Sequence, residues 1–139
     1  MGDIVVDSSF IIAVLVEEEH SAWSSHVMLE LEGENLLAPD LLVWEIASVL
    51  QKKVRRGTVS EAQRAIMLAR FRDFDVDLRP PPEPMDLISM LETGDRVGLT
   101  AYDTAYLMLA TDEGAALASL DAALVRAARV EGLTVHSVF

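Results

Sequence analysis

The apolar positions of the chain fall into short runs that alternate between two periods. Ile4-Val5-Val6 is an unbroken, β-branched run that stops at Asp7. A run without polar alternation predicts a strand buried on both faces, as in a parallel sheet covered by helices. From Ser8 to Val16 the period becomes helical, with Phe10, Ile11, Val14 and Leu15 on one side and Ser8 or Ser9 as the expected cap. A second amphipathic helix is predicted over Ser21 to Glu32, with Trp23, Val27, Met28 and Leu31 inward and Gly33 as its stop. Asn35 to Pro39 predicts a second strand and Leu41 to Arg55 a third helix. Ser60 is the expected cap of a fourth helix running to about Arg72, with Ala62, Ala65, Ile66, Leu68, Ala69 and Phe71 on or near its buried side.

The remaining pattern repeats the alternation. Asp75 to Leu78 predicts a third strand, followed by the stiff Pro80-Pro81-Pro82 connection. Met85 to Glu92 predicts a fifth helix ending at Thr93-Gly94, and Ala101 to Asp112 a sixth. Ala116 to Leu120 predicts a fourth strand, Ala122 to Glu131 a seventh helix, and Leu133 to Val138 the last strand. Strands alternating with helices predict an α/β fold on a parallel sheet. Right-handed crossovers make it layered without fixing the strand order. The length of 139 residues suits one domain spanning 1–139, and the proline run is too short to separate two.

Composition narrows the chemistry. The chain is 51% hydrophobic and has no cysteine, which excludes disulfides, thiolate metal sites and cysteine nucleophiles. No basic-then-apolar leader opens it, and no apolar run approaches the ~20 residues that span a bilayer. The expected location is the cytoplasm, with no membrane partner. The formal net charge of −12 runs against the basic patch usual in nucleic-acid binders. Either the partner is basic or neutral, or the acids gather to hold a cation while local bases meet the substrate.

Four acids fall in telling places. Asp7 and Asp121 each follow a predicted strand, where α/β sheets bind ligands, although each could equally cap the next helix. Asp103 lies three residues after Thr100, in capping-box spacing at the start of a helix. Glu45 shares a helical face with Leu42, Ile46 and Val49, so it projects from an apolar stripe. A carboxylate there must be paired with a base or hold a metal. If all four converge at the carboxyl edge of the sheet, they repel one another unless a cation is present. Mg²⁺ or Mn²⁺ suits such oxygen ligands, polarises phosphoryl oxygens and activates water. Ser8, Ser9 and Ser119 could position water or phosphate, or simply cap helices. His20, His26 and His136 lack metal-ligand spacing, and the basic run Lys52 to Arg56 reads as a solvated helix end or a phosphate contact.

Ile4-Val5-Val6-Asp7-Ser8-Ser9, Leu42 to Leu50 around Glu45, Leu99 to Tyr106 around Asp103, and Leu120-Asp121-Ala122-Ala123-Leu124 together resemble the motifs of PIN-domain ribonucleases, most closely the VapC-type toxins of toxin–antitoxin pairs. The resemblance spans essentially the whole chain in order. It implies a three-layer α/β/α sandwich with a central parallel sheet and Mg²⁺- or Mn²⁺-dependent endoribonuclease activity. By matching, Asp7, Glu45, Asp103 and Asp121 become the metal-binding, catalytic acids, with Glu45 as base or orienting group. Ser119 stands where the family often carries a threonine or serine. Ala123 replaces a further acid that many members have, which weakens a second metal position. The family also implies a homodimer and a cognate antitoxin that covers the acidic site, which would make sense of the net charge. A receiver domain lacks support, because no acid pair adjoins Asp7. An aspartate-nucleophile phosphatase would want a second aspartate at Ser9. The competing reading is a catalytically inactive PIN-like module that binds RNA or protein.

Overall fold

The computed structural model describes residues 2–139. In chain order its elements are β1 (Asp3–Val6), α1 (Ser8–Leu15), α2 (Ser21–Glu30), β2 (Asn35–Pro39), α3 (Leu41–Arg55), α4 (Glu61–Asp73), β3 (Asp77–Arg79), a 3-10 turn (Pro84–Asp86) leading into α5 (Leu87–Val97), α6 (Ala101–Glu113), β4 (Ala116–Ala118), α7 (Ala122–Val130) and β5 (Val135–His136). Every strand pairing is parallel, in the order β3-β2-β1-β4-β5. Right-handed crossovers then put α1 to α4 on one face and α5 to α7 on the other. The packing agrees: α1 meets α2, α3 and α4, while α6 meets α5 and α7 and lies on β1, β2 and β4. The result is the expected α/β sandwich on a central parallel sheet. No helix among the described residues is long and apolar enough to cross a membrane.

The apolar run at the start of the chain becomes the middle strand, flanked by β2 (Ile4 beside Leu36) and β4 (Ile4 beside Ala116). Val5 and Val6 are wholly buried, as a strand covered on both faces requires. Phe10 and Ile11 from α1, Leu42, Ile46 and Leu50 from α3, and Tyr106 and Leu107 from α6 complete the core. From β1 the chain moves outward to β2 and β3, then returns to β4 on the opposite side. The strand order therefore reverses between β1 and β4, and a crevice opens beyond their carboxyl ends. Asp7 and Asp121 leave the sheet on the two sides of that crevice.

Several expected boundaries shift for identifiable reasons. Asp7, not Ser8 or Ser9, caps α1, its carboxylate accepting the Phe10 N–H at 3.0 Å. α5 runs through Thr93-Gly94 to Val97, and Gly98, in the left-handed region at φ 74°, ends it. Gly94 is a packing glycine: a Cβ there would lie 2.6 Å from Thr104 Oγ1 on α6. α4 has the expected Ser60–Gln63 capping box but turns a different side inward. Ile66 is 63% exposed, and Ala62, Ala65, Leu68 and Ala69 also face out, while Met67 and Phe71 pack on the core. β3 begins at Asp77 because Asp75, at φ 52°, is still turning. β4 and β5 are shorter than the apolar pattern predicts: only Val135 and His136 pair with β4, and the Ser119 N–H still bonds the His136 carbonyl at 3.1 Å while its side chain turns to Asp7.

Candidate active site

Asp7 sits at the end of the central strand, 4% exposed. Its Oδ1 accepts the Ser9 hydroxyl at 2.7 Å and the Phe10 N–H, and its Oδ2 accepts the Ser119 hydroxyl at 2.6 Å. Each serine in turn accepts a backbone N–H of the segment after β4: Ser9 Oγ that of Leu120 at 2.9 Å, and Ser119 Oγ that of Asp121 at 3.0 Å. The two serines thus tie the end of β1 to the segment after β4. Burial raises the Asp7 pKa to about 6, against the pull of these three donors, and the nearby Asp121 carboxylate pushes the same way as burial.

Asp121 caps α7, its Oδ1 accepting the Leu124 N–H at 3.0 Å. Asp103 occupies the first turn of α6, where the Thr100 hydroxyl caps the helix by accepting the Asp103 N–H at 3.2 Å. Burial raises the pKa of Asp103, and the Asp121 charge adds to the rise. Glu45 is half-buried on α3, and burial raises its pKa too, with the Asp103 charge adding to it. Its Oε1 accepts a 2.6 Å hydrogen bond from the Tyr106 hydroxyl. Tyr106 is buried on α6, and burial followed by the Glu45 hydrogen bond and charge drives its pKa upward, so the phenol keeps its proton and donates its hydrogen bond to Glu45. The Ser8 hydroxyl approaches both Glu45 and Tyr106 and favours their ionised forms.

The four predicted acids are therefore neighbours, coupled in sequence from Glu45 to Asp103, Asp103 to Asp121 and Asp121 to Asp7. The helix ends at Asp7, Asp103 and Asp121 all open at this edge, and their partial positive charge tempers the repulsion. No ion pair among the described residues involves any of the four. Of the partners open to Glu45, a base is absent among the described residues, and a neutral phenol stands against it. Ser119 is fully buried with both roles of its hydroxyl used on protein, so it holds Asp7 instead of facing a substrate. The histidines stay apart, His26 pairing with Glu30 on the surface of α2. Lys53, from the basic run, reaches Glu18 at 3.3 Å.

Among the described residues, no three carboxylate or imidazole groups close on a single point as a preformed cage for an ion. A hard divalent cation does not require one. Mg²⁺ keeps several waters and takes one or two carboxylates directly. Coupled carboxylates without a cationic partner, three of them with pKa values lifted by their neighbours as well as by burial, fit such an ion. Sequence reasoning missed Tyr106 here, and Ser9, expected to position water or phosphate or to cap a helix, instead holds Asp7. Tyr106 had a signal: it lies three positions after Asp103 on the same helix, in an apolar stripe where its hydroxyl needs a partner.

Comparison with known proteins agrees with this architecture. The PIN domain family pattern matches residues 4–130. The chain is 32% identical over 118 residues to Ribonuclease VapC3 of Pyrobaculum aerophilum, covering 85% of this chain and 88% of that one. Its fold is similar to that of PAE2754 from Pyrobaculum aerophilum, with a TM-score of 0.71 at 23% identity over 96% of this chain and 83% of the other. It is also similar to VapBC2 from Rickettsia felis, a structure bound to a DNA fragment from its promoter, with a TM-score of 0.68 at 12% identity over 97% and 98% of the two chains.

Proposed function

The chain belongs to the PIN domain family, and from that membership we propose that it is a divalent-metal-dependent endoribonuclease, the toxin of a two-protein toxin–antitoxin pair. The observation that carries the reading is the meeting of Asp7, Glu45, Asp103 and Asp121 beyond the reversal of strand order, with no base to neutralise them. The relative named as a ribonuclease supports RNA as the substrate, and the VapBC2 likeness supports an antitoxin partner. A basic antitoxin segment would complement an acidic site on a chain of net charge −12. We assign the homodimer expected of the family to the same proposal.

Mg²⁺ or Mn²⁺ would be held by Asp7, Asp103 and Asp121, with Glu45 at the margin. When bound it supplies charge stabilisation at a phosphoryl oxygen and a lowered pKa for water. The protein's own groups divide the remaining work. Ser9, Ser119 and the Phe10 N–H favour the ionised form of Asp7 against its burial. Glu45 has one oxygen engaged by Tyr106, which leaves Oε2 to accept a proton from an attacking water. Burial lifts its pKa, the direction that favours a general base. Ser8, beside Glu45, orients that carboxylate.

The test is cleavage of a panel of structured and unstructured RNAs by the purified protein, free of any partner, in Mg²⁺, Mn²⁺ or chelator. Metal-dependent products that disappear in Asp7→Asn and Asp103→Asn are expected. Products that persist in chelator or in Asp7→Asn would overturn the assignment. Saturable RNA binding without turnover in either metal would favour the binding-module reading.

A further inference from the structure

The chain has eight aromatic residues, of which Trp44, Tyr102 and Phe139 are exposed. Phe139 lies far along the sequence against His20. The other two directly precede acids of the site: Trp44 adjoins Glu45 on α3, 77% exposed, and Tyr102 adjoins Asp103 on α6, 69% exposed. Glu45 and Asp103 feel each other's charge, so the two aromatics stand on the two helices that carry coupled acids. Each borders its own hollow. Tyr102 lines one of about 560 Å³ with Leu41, Pro81 and Met90. Trp44 lines one of about 440 Å³ with Ser48, Gln51, Arg64 and Leu68. The opening turns of α3 contribute to both.

Resting on the nuclease reading, we propose that Trp44 and Tyr102 are stacking platforms for unpaired nucleobases of single-stranded RNA, one on each side of the acidic edge. An exposed indole is costly to leave in water, and neither ring packs as core. Charge supplies the second argument. A protein with 23 acids and 11 bases repels a polyanion overall, so phosphate contacts alone give it little affinity. Stacking on aromatic faces is the uncharged alternative, and it tolerates many sequences because every base has a π-face. The Trp44 hollow suits a nucleotide unit: an indole for the base, Gln51 and Ser48 for its polar edge, and Arg64 for one phosphate. The platforms act on substrate placement, not on the bond that breaks, so they govern KM more than kcat.

The chain has two tryptophans, and Trp23 lies edge-on to Phe10, partly buried. In a Trp23→Phe background, all tryptophan emission reports Trp44. A single-stranded oligoribonucleotide of about ten nucleotides, within the ~4–16 that single-strand binders occupy, is mixed with this protein in Mg²⁺ and read by stopped flow before products accumulate. Saturable quenching is expected, as is a shallow salt dependence, with log affinity against log salt flatter than about −1.4, the slope of two phosphate contacts on a single strand. In cleavage assays Trp44→Ala and Tyr102→Ala each raise KM about tenfold with kcat held. Trp44→Phe and Tyr102→Phe recover most of it. Both positions are exposed, so circular dichroism should match wild type. If RNA is cut but the alanine variants keep wild-type KM, or no quenching occurs, the platforms are overturned while the nuclease stands, and the exposed rings belong to a protein contact. If RNA is not cut but quenching occurs and is lost when Tyr102→Ala weakens binding, the platforms stand and the nuclease falls.

Discussion

Tyr106 on α6 donates a 2.6 Å hydrogen bond to Glu45 on α3, linking helices on opposite faces of the sheet through one phenol and one carboxylate. The bond fixes one oxygen of Glu45. Tyr106→Phe keeps the ring in its buried slot and removes only the donor. We predict that kcat in RNA cleavage falls by roughly ten- to a hundredfold, the range seen when a group that orients a site residue is lost. Wild-type kcat in that variant would show that Glu45 does not depend on Tyr106.

Ser119→Ala removes the donor to Asp7 Oδ2 and leaves the Asp121 N–H without its acceptor. Loss of ~1–3 kcal/mol in stability is expected for a buried hydrogen bond to a charged group. The serine favours the ionised carboxylate, so the loss should be larger at pH 8 than at pH 5. Urea unfolding at both values checks it, and equal losses would mean that Asp7 does not change its protonation state between them.

The same carboxylate sets a pH dependence for the metal-free protein. The Asp7 pKa is about 6 when folded, against 3.8 for the free group. Between these values the folded state binds more protons than the unfolded state, so stability falls as pH rises through the window. The full effect is about 3 kcal/mol, at ~1.4 kcal/mol per pKa unit. In chelator, Asp7→Asn should be more stable than wild type at pH 8, with the gap closing toward pH 4. Parallel pH profiles of the two proteins would rule this out.

Metal should act in the opposite sense. An ion that binds only the folded state stabilises it by mass action, by ~2.7 kcal/mol at a hundredfold excess over its Kd. Thermal unfolding with rising Mg²⁺ or Mn²⁺ should give a saturable increase in Tm that chelator reverses and Asp7→Asn abolishes. An equal rise in Asp7→Asn would place the ion elsewhere.

Gly94→Ala would set a Cβ against Thr104 Oγ1, which is itself held by the Thr100 carbonyl at 2.6 Å. Because that threonine is buried and bonded, α5 must shift away from α6. A loss of ~1–3 kcal/mol is expected for overpacking, read as a lower Tm. A neutral substitution would mean that the two helices slide apart freely.

Where apolar and polar positions contrasted, the sequence was readable. The stripe of Leu42, Ile46 and Val49 ran along α3 and made Glu45 conspicuous. On α4 the contrast vanishes, because Ala62, Ala65, Ile66, Met67, Leu68 and Ala69 ring the helix. Packing alone then chose the Met67 and Phe71 side. The acids could be located because three of them begin helices, a local property. Their partners could not, since the Tyr106–Glu45 and Ser119–Asp7 bonds span 61 and 112 residues and depend on strand order. Asp7 also shows that capping and burial at a site need not be alternatives, because one carboxylate does both.

The placement of β1 between β2 and β4 carries a consequence for how the protein comes into being. Residues 4 to 6 must wait for residues 116 to 118 before the middle strand has both neighbours. On a ribosome, a chain that has emerged only through α6 already carries Asp7, Glu45 and Asp103. It lacks the strand and the serine that lock Asp7 in place. Contacts so distant along the chain form late and slowly. The acidic edge is therefore incomplete throughout most of translation, and it closes only when β4 docks beside β1.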